Sequence, residues 1–301
     1  MTQTITPAER RRGLIAILFC TVLWSLNGPF IKQLSQEYGQ SGLAIAWWRS
    51  LFAGLILLAP AYRALPTLPR TRWWIPATLS FAAMCGLFVA ATTQTQAANA
   101  IILQYTAPLW ILALSPLLLG ERPARRDTAV MPFVLAGILV IFFGQATTDL
   151  LGLSLALSSG VAFAFVVLSF RRLRDVDPLA SPCVTNVATV LLLAPFAWSR
   201  NITPEPLGAW TLLILMGVVQ MALPYVLLAY GLRRVAASEA ALLTLLEPLL
   251  NPLWTFLWMG EQPTKTTMLG GGLILMALAL RTRFAADARE QRPITSRTNG
   301  D

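Results

Sequence analysis

The segment LLTLLEPLLNPLW, residues 242–254, sets Glu247 and Asn251 beside Pro248 and Pro252, inside an apolar run from Ala236 to Met259. A carboxylate, an amide and two prolines at this spacing can hold a cation or a proton away from bulk water. Pro248 cannot donate to the carbonyl of Thr244, nor Pro252 to that of Pro248, so two carbonyls are freed. Thr244, Glu247, Asn251 and Thr255 fall at i, i+3, i+7 and i+11, on one helical face, and the freed carbonyls join that stripe. From Ala236, Glu247 lies roughly 17 Å along a helix rising 1.5 Å per residue, near the middle of a hydrocarbon core of about 30 Å. An ionised carboxylate there costs about 2.5–3.5 kcal/mol on insertion scales. Two roles are open: a cation or proton site in a cavity wall, or a structural group bonded to a neighbouring helix.

Other residues form a background to this one. Trp24 precedes Ser25, Asn27 and Pro29 in TVLWSLNGP, a second weakened helix with a tryptophan too deep for an interfacial belt. Tyr105 and Trp110 bracket Pro108; Ser159 and Phe163 lie in one span, and Gln220 with Pro224 and Tyr225 in another. Together with Thr244, Glu247 and Asn251 they make the candidate binding set. A zwitterion would need an acceptor for its ammonium, which Glu247 supplies, and donors for its carboxylate, from Asn27, Asn251 or free helix amides. A lipophilic cation would need only Glu247 and aromatic rings. Arg49 is a second interior charge, roughly 10 Å deep; it either approaches Glu247 or snorkels to the nearer interface.

Several chemistries are excluded. The chain has no histidine, hence no H-E-x-x-H zinc site and no Ser-His catalysis. It has no G-x-x-x-x-G-K-[ST] for nucleotide, no buried lysine beside a serine, and every aspartate falls in a loop or tail. No enzyme, cofactor or metal is expected.

The elements that hold these residues are apolar helices. The 301 residues are 56% hydrophobic and 12% charged, against about 25% charged in soluble domains. Ten runs are long enough to cross a bilayer, near 13–32, 42–62, 73–93, 97–119, 127–144, 150–170, 179–198, 208–230, 236–259 and 266–282. Residues 1–12 and the tail 284–301 flank them. Of the 23 basic residues, 19 fall on the side of the N-terminus, and only Lys32, Arg200 and Lys265 on the other. This places both termini in the cytoplasm, and the net charge of +9 marks membrane topology, not nucleic acid. Cys20, Cys85 and Cys183 fall in spans and read as small hydrophobes. The first span is too long for a cleaved leader and is read as retained. Gly270, Gly271 and Gly272 allow close helix contact, within a monomer in preference to a dimer seam.

The chain repeats itself. Raising every number by 140 lays 97–123 on 237–263 with nine of 27 positions identical, including Pro108 on Pro248 and GE-x-P on GE-x-P. Lys32 falls opposite Arg172. Residues 13–145 and 146–283 are thus two five-span repeats, and because five is odd the second runs inverted through the membrane, as in many secondary transporters.

The paired GE-x-P turns, WWRSLFAGLILL in span two and LLAYGLRRVAASEAALL before span nine resemble the drug/metabolite transporter superfamily, EamA type, over about 13–283. The resemblance implies ten helices around a central cavity, alternating access, a bacterial inner membrane and a small-molecule cargo. Within that superfamily the chain is most similar to exporters of aromatic and neutral amino acids. Efflux of lipophilic cations is the alternative, and a channel comes after it, since one polar stripe and no polar ring is present.

Overall fold

The computed structural model describes residues 6–120, 128–129, 131–198, 203–204, 207–235 and 237–290, and all its regular elements are helical. Thr6 opens α1 (Pro7–Ser25) with a reciprocal cap: Glu9 N donates to its hydroxyl at 3.2 Å, and its own N–H donates to Glu9 at 2.8 Å. There follow α2 (Asn27–Gln36), α3 (Gly42–Ala61), α4 (Trp74–Gln94), α5 (Ala97–Gln104) and α6 (Ala107–Leu118). After these come α7 (Met131–Arg172), α8 (Ala180–Trp198), α9 (Leu207–Leu215), a π-helical stretch Met216–Ala222 and α10 (Leu223–Leu232). The chain continues through α11 (Ala237–Thr244), α12 (Glu247–Met259) and α13 (Lys265–Glu290). Among the described residues, eight helical stretches are long and apolar enough to cross a membrane, and Met131–Gly144 and Lys265–Leu280 are shorter apolar helices. The protein is a multi-pass membrane protein. Glu121, Arg122, Pro123, Arg125 and Arg126 of the first GE-x-P turn, and the tail beyond 290, lie outside the described residues.

Four irregularities set the architecture. Three expected single spans are each two helices, interrupted at Leu26, at Tyr105–Thr106 and at Leu245–Leu246. In the second and third, a proline takes the second position of the new helix (Pro108, Pro248), where its missing N–H has no partner to lose. The one-face stripe expected from Thr244 to Thr255 is therefore cut: Thr244 ends α11 and Glu247 begins α12. The fourth is the π-helical stretch just before Pro224. A proline ring there clashes with the carbonyl four residues back in a regular helix, and widening the turn relieves the clash. The loop expected between 144 and 150 is instead continuous with α7, interrupted only by the non-helical Asp149 (φ −128°, ψ 20°).

Two of these breaks, at 105–106 and 245–246, are 140 positions apart. So are Gly120 and Gly260, both left-handed (φ 71° and 70°) at the ends of α6 and α12, a conformation that glycine adopts without steric penalty. Glycines also set helix distances. A Cβ on Gly137 of α7 would stand 2.5 Å from the Gly270 carbonyl of α13, and the reverse distance is the same. Gly271 abuts Ile102. Two glycines of the triple thus pack inside the chain. The largest apolar core joins α2, α3, α5, α7, α9 and α13 through Ile31, Ile45, Ile101, Ile141, Leu213 and Ile274. All three cysteines are buried and free.

Candidate functional site

The interrupted helices bring their ends together around Glu247. Pro248 leaves the Thr244 carbonyl without its helical donor, and the Tyr105 hydroxyl takes that place at 3.0 Å. The same hydroxyl lies 2.8 Å from Glu247 Oε2, so its one proton serves two acceptors. Asn27, first residue of α2, donates to the Trp24 carbonyl at 2.8 Å and reaches Glu247 Oε1 at 3.4 Å. Asn251, one turn into α12, donates to the Ser25 carbonyl at 3.2 Å and to Asn27 Oδ1 at 2.6 Å. Each break thus has its loose carbonyls capped by a side chain from another broken helix, as interior backbone requires. Glu247 is partly buried and makes no ion pair among the described residues.

A second layer holds this one. Gln220, in the π-helical stretch, donates to the Trp24 carbonyl at 3.1 Å. The Trp24 ring meets Tyr225 edge-on, centroids 5.6 Å apart. Trp254 donates to Ser25 Oγ at 2.9 Å. Trp254 was not among the expected site residues, although it stands seven positions after Glu247, two helical turns along one face.

Of the expected residues, the structure gathers Trp24, Ser25, Asn27, Tyr105, Gln220, Tyr225, Thr244, Glu247 and Asn251. Thr244 contributes its carbonyl, since its hydroxyl bonds back to Ala241. Trp110 is turned to its own helix, donating to Thr106 Oγ1 at 3.2 Å. Ser159 is fully buried and donates to Ala156 of its own helix at 2.6 Å. Phe163 packs in a second apolar cluster with Phe81, Cys85 and Val166, which Tyr225 also touches. Arg49 follows neither expected course: it is 6% exposed, so it does not snorkel, and no ion pair joins it to Glu247.

Two polar contacts mark the ends of the bundle. At the basic end, Arg10 of α1 pairs with Glu239 of α11. At the other, Lys32 Nζ lies 2.8 Å from Glu261 and donates to the Thr95 carbonyl at 2.8 Å, while Glu261 accepts from Ala97 N, at the start of α5, at 2.7 Å. The carboxylate therefore meets both a cation and the positive end of a helix. Gln96 spans the same gap, donating to the Gln262 carbonyl and accepting from Thr264 N. A cavity of about 430 Å³ opens between α4 and α7, lined by Leu79, Ser80, Ala83, Ser158 and Phe165; it includes none of the residues around Glu247.

The EamA-like transporter family matches this chain twice, over residues 11–143 and 150–283. The chain belongs to that family. It is 28% identical to a transporter of Archaeoglobus fulgidus over 91% of this chain and 97% of that one. It is 24% identical to a probable terminal-alkyne amino-acid exporter of Streptantibioticus cattleyicolor, covering 93% and 96%. To the threonine/homoserine exporter RhtA of Escherichia coli it is 27% identical over 59% and 60%. A solved crystal structure shares the fold at 20% identity and a TM-score of 0.64, covering 92% of this chain and 98% of the other.

Proposed function

We propose that this EamA-like protein is a secondary transporter that exports neutral and aromatic amino acids across the bacterial inner membrane by alternating access. In this reading ten helices form two inverted repeats, 13–145 and 146–283, about a central substrate path, with both termini cytoplasmic and the monomer sufficient. The tandem family match and the helix breaks and left-handed glycines 140 positions apart support the repeat. Named relatives that export amino acids support the cargo and direction.

The carrying observation is Glu247 itself. It is held at a helix break by Tyr105 and Asn27, with no cation of its own. An acidic group in this setting is stabilised by a visiting ammonium, and interior ionisable groups in membranes mark substrate or ion paths. Trp24, Tyr225 and Tyr105 supply rings for an apolar side chain, and an aromatic contact adds about 0.5–1.5 kcal/mol beyond buried area. That favours bulky side chains without excluding small ones. No cofactor, metal or catalytic step enters this mechanism.

The test is competition for flux in proteoliposomes by phenylalanine, methionine, alanine and a quaternary ammonium compound. Phenylalanine and methionine should compete best and alanine weakly. Competition by the quaternary cation alone would replace amino-acid export with efflux of lipophilic cations.

A further inference from the structure

A zwitterion carries a carboxylate as well as an ammonium, and the donors nearest Glu247 are already engaged. Both acceptors within reach of Asn27 Nδ2, and both within reach of Asn251 Nδ2, belong to the protein. Gln220 Nε2 is held by the Trp24 carbonyl, Trp254 Nε1 by Ser25 and Trp110 Nε1 by Thr106. The amides therefore fasten the broken helices to one another.

One strong donor stays without an acceptor. Arg49, on α3, is 6% exposed, and its Nε is buried with no partner. Among the described residues its guanidinium meets no carboxylate, and its neighbour is the Cys85 thiol, a weak partner. A lone charge in this position is costly, and the chain holds a carboxylate in the same interior without joining the two. Tyr225 connects them in space: it lies within electrostatic reach of both Arg49 and Glu247, and its ring carries Trp24 on its edge. Neither the Tyr225 hydroxyl nor the Trp24 indole N–H makes a hydrogen bond among the described residues.

We infer that Arg49 is the carboxylate-reading group of the substrate site, binding the α-carboxylate of the amino acid whose ammonium rests on Glu247. The guanidinium fork matches a carboxylate in two parallel bonds. The two charges stay apart because the substrate bridges them, each fully paired only while it is bound. This rests on the amino-acid reading above.

Isothermal titration of the purified full chain in detergent, with leucine and with leucinamide, tests it. Leucinamide keeps the ammonium and side chain and lacks the carboxylate. The wild-type protein should bind leucine roughly ten- to a hundredfold more tightly, as expected for a charge-assisted pair. Arg49→Gln should bring leucine down to the affinity of leucinamide. Arg49→Lys, which keeps the charge and loses the fork, should fall between; it serves if the glutamine variant does not fold. Equal wild-type affinities would overturn the assignment with no variant needed, and so would an Arg49→Gln protein that still prefers leucine. In either case the amino-acid reading stands. Wild-type protein that binds neither ligand would overturn that reading and this one together.

Discussion

Tyr105 and Glu247 divide the work of one small region, and two conservative changes separate their shares. Tyr105→Phe removes the only hydroxyl that caps the Thr244 carbonyl and touches the Glu247 carboxylate. We expect it to lower unfolding stability by about 1.5–3 kcal/mol, the range for hydrogen bonds to charged groups, seen as a lower thermal midpoint in detergent. Glu247→Gln keeps the shape and an acceptor for Tyr105 and removes the charge. We expect near-normal expression and midpoint with amino-acid flux reduced more than tenfold, about 1.4 kcal/mol or more. Unchanged flux in that variant would return Glu247 to a structural role. Glu247 was legible from sequence because an acid in an apolar run is conspicuous. Tyr105's partnership was not, because it joins positions 142 apart through two breaks whose packing no local pattern encodes.

Helices come close here where side chains are absent. A Cβ on Gly28 of α2 would stand 2.5 Å from Thr255 Oγ1 and 2.7 Å from Asn251 Oδ1 of α12. Asn251 and Thr255 are buried, and Asn251 is bonded on to α1 and α2, so neither side chain can withdraw freely. Gly28→Ala should cost about 1–3 kcal/mol, as overpacking does, and detach the Asn251 contacts to Ser25 and Asn27. A thermal midpoint equal to wild type would show that this seam yields without strain. The prolines signalled weakened helices from the sequence alone, but not where each would part. The parting comes ahead of Pro108 and Pro248, since proline is welcome in a first turn and unwelcome in an interior one. The π-helical stretch had no signal except Pro224, and a proline is equally compatible with a kink.

Across the whole molecule, charge is the simplest organiser. Arg171, Arg172, Arg174, Arg233 and Arg234 follow helix ends on one side, whereas Lys32, Glu261 and Lys265 are at the other. Reporter fusions after Arg174 and Arg234 should read as cytoplasmic, and fusions after Glu37 and Asp149 as periplasmic. A single reversed site breaks the inverted arrangement, because an odd number of spans per repeat ties all positions together. Helical class, span positions and repeat period were legible because each depends on composition or period, which a bilayer makes severe constraints. The joining of two expected spans into α7 was not: Asp149 looks like a loop residue, yet its carboxylate is tied to Thr95 by a 3.0 Å hydrogen bond and the helix resumes directly.

The π-helical stretch Met216–Ala222 bears on how this gene tolerates changes in length. A π-turn accommodates an extra residue in an α-helical frame, so one codon lost between 216 and 222 would let the stretch wind as an ordinary helix. Each residue of an α-helix turns by about 100° and rises 1.5 Å. Everything from Leu223 onward would rotate by about that angle relative to α9, carrying Tyr225 off the Trp24 ring. A codon lost from the tail past 290 would shift no such register. Indels are commonly tolerated in proportion to exposure, yet here seven residues inside a membrane helix set the phase of all that follows in that span.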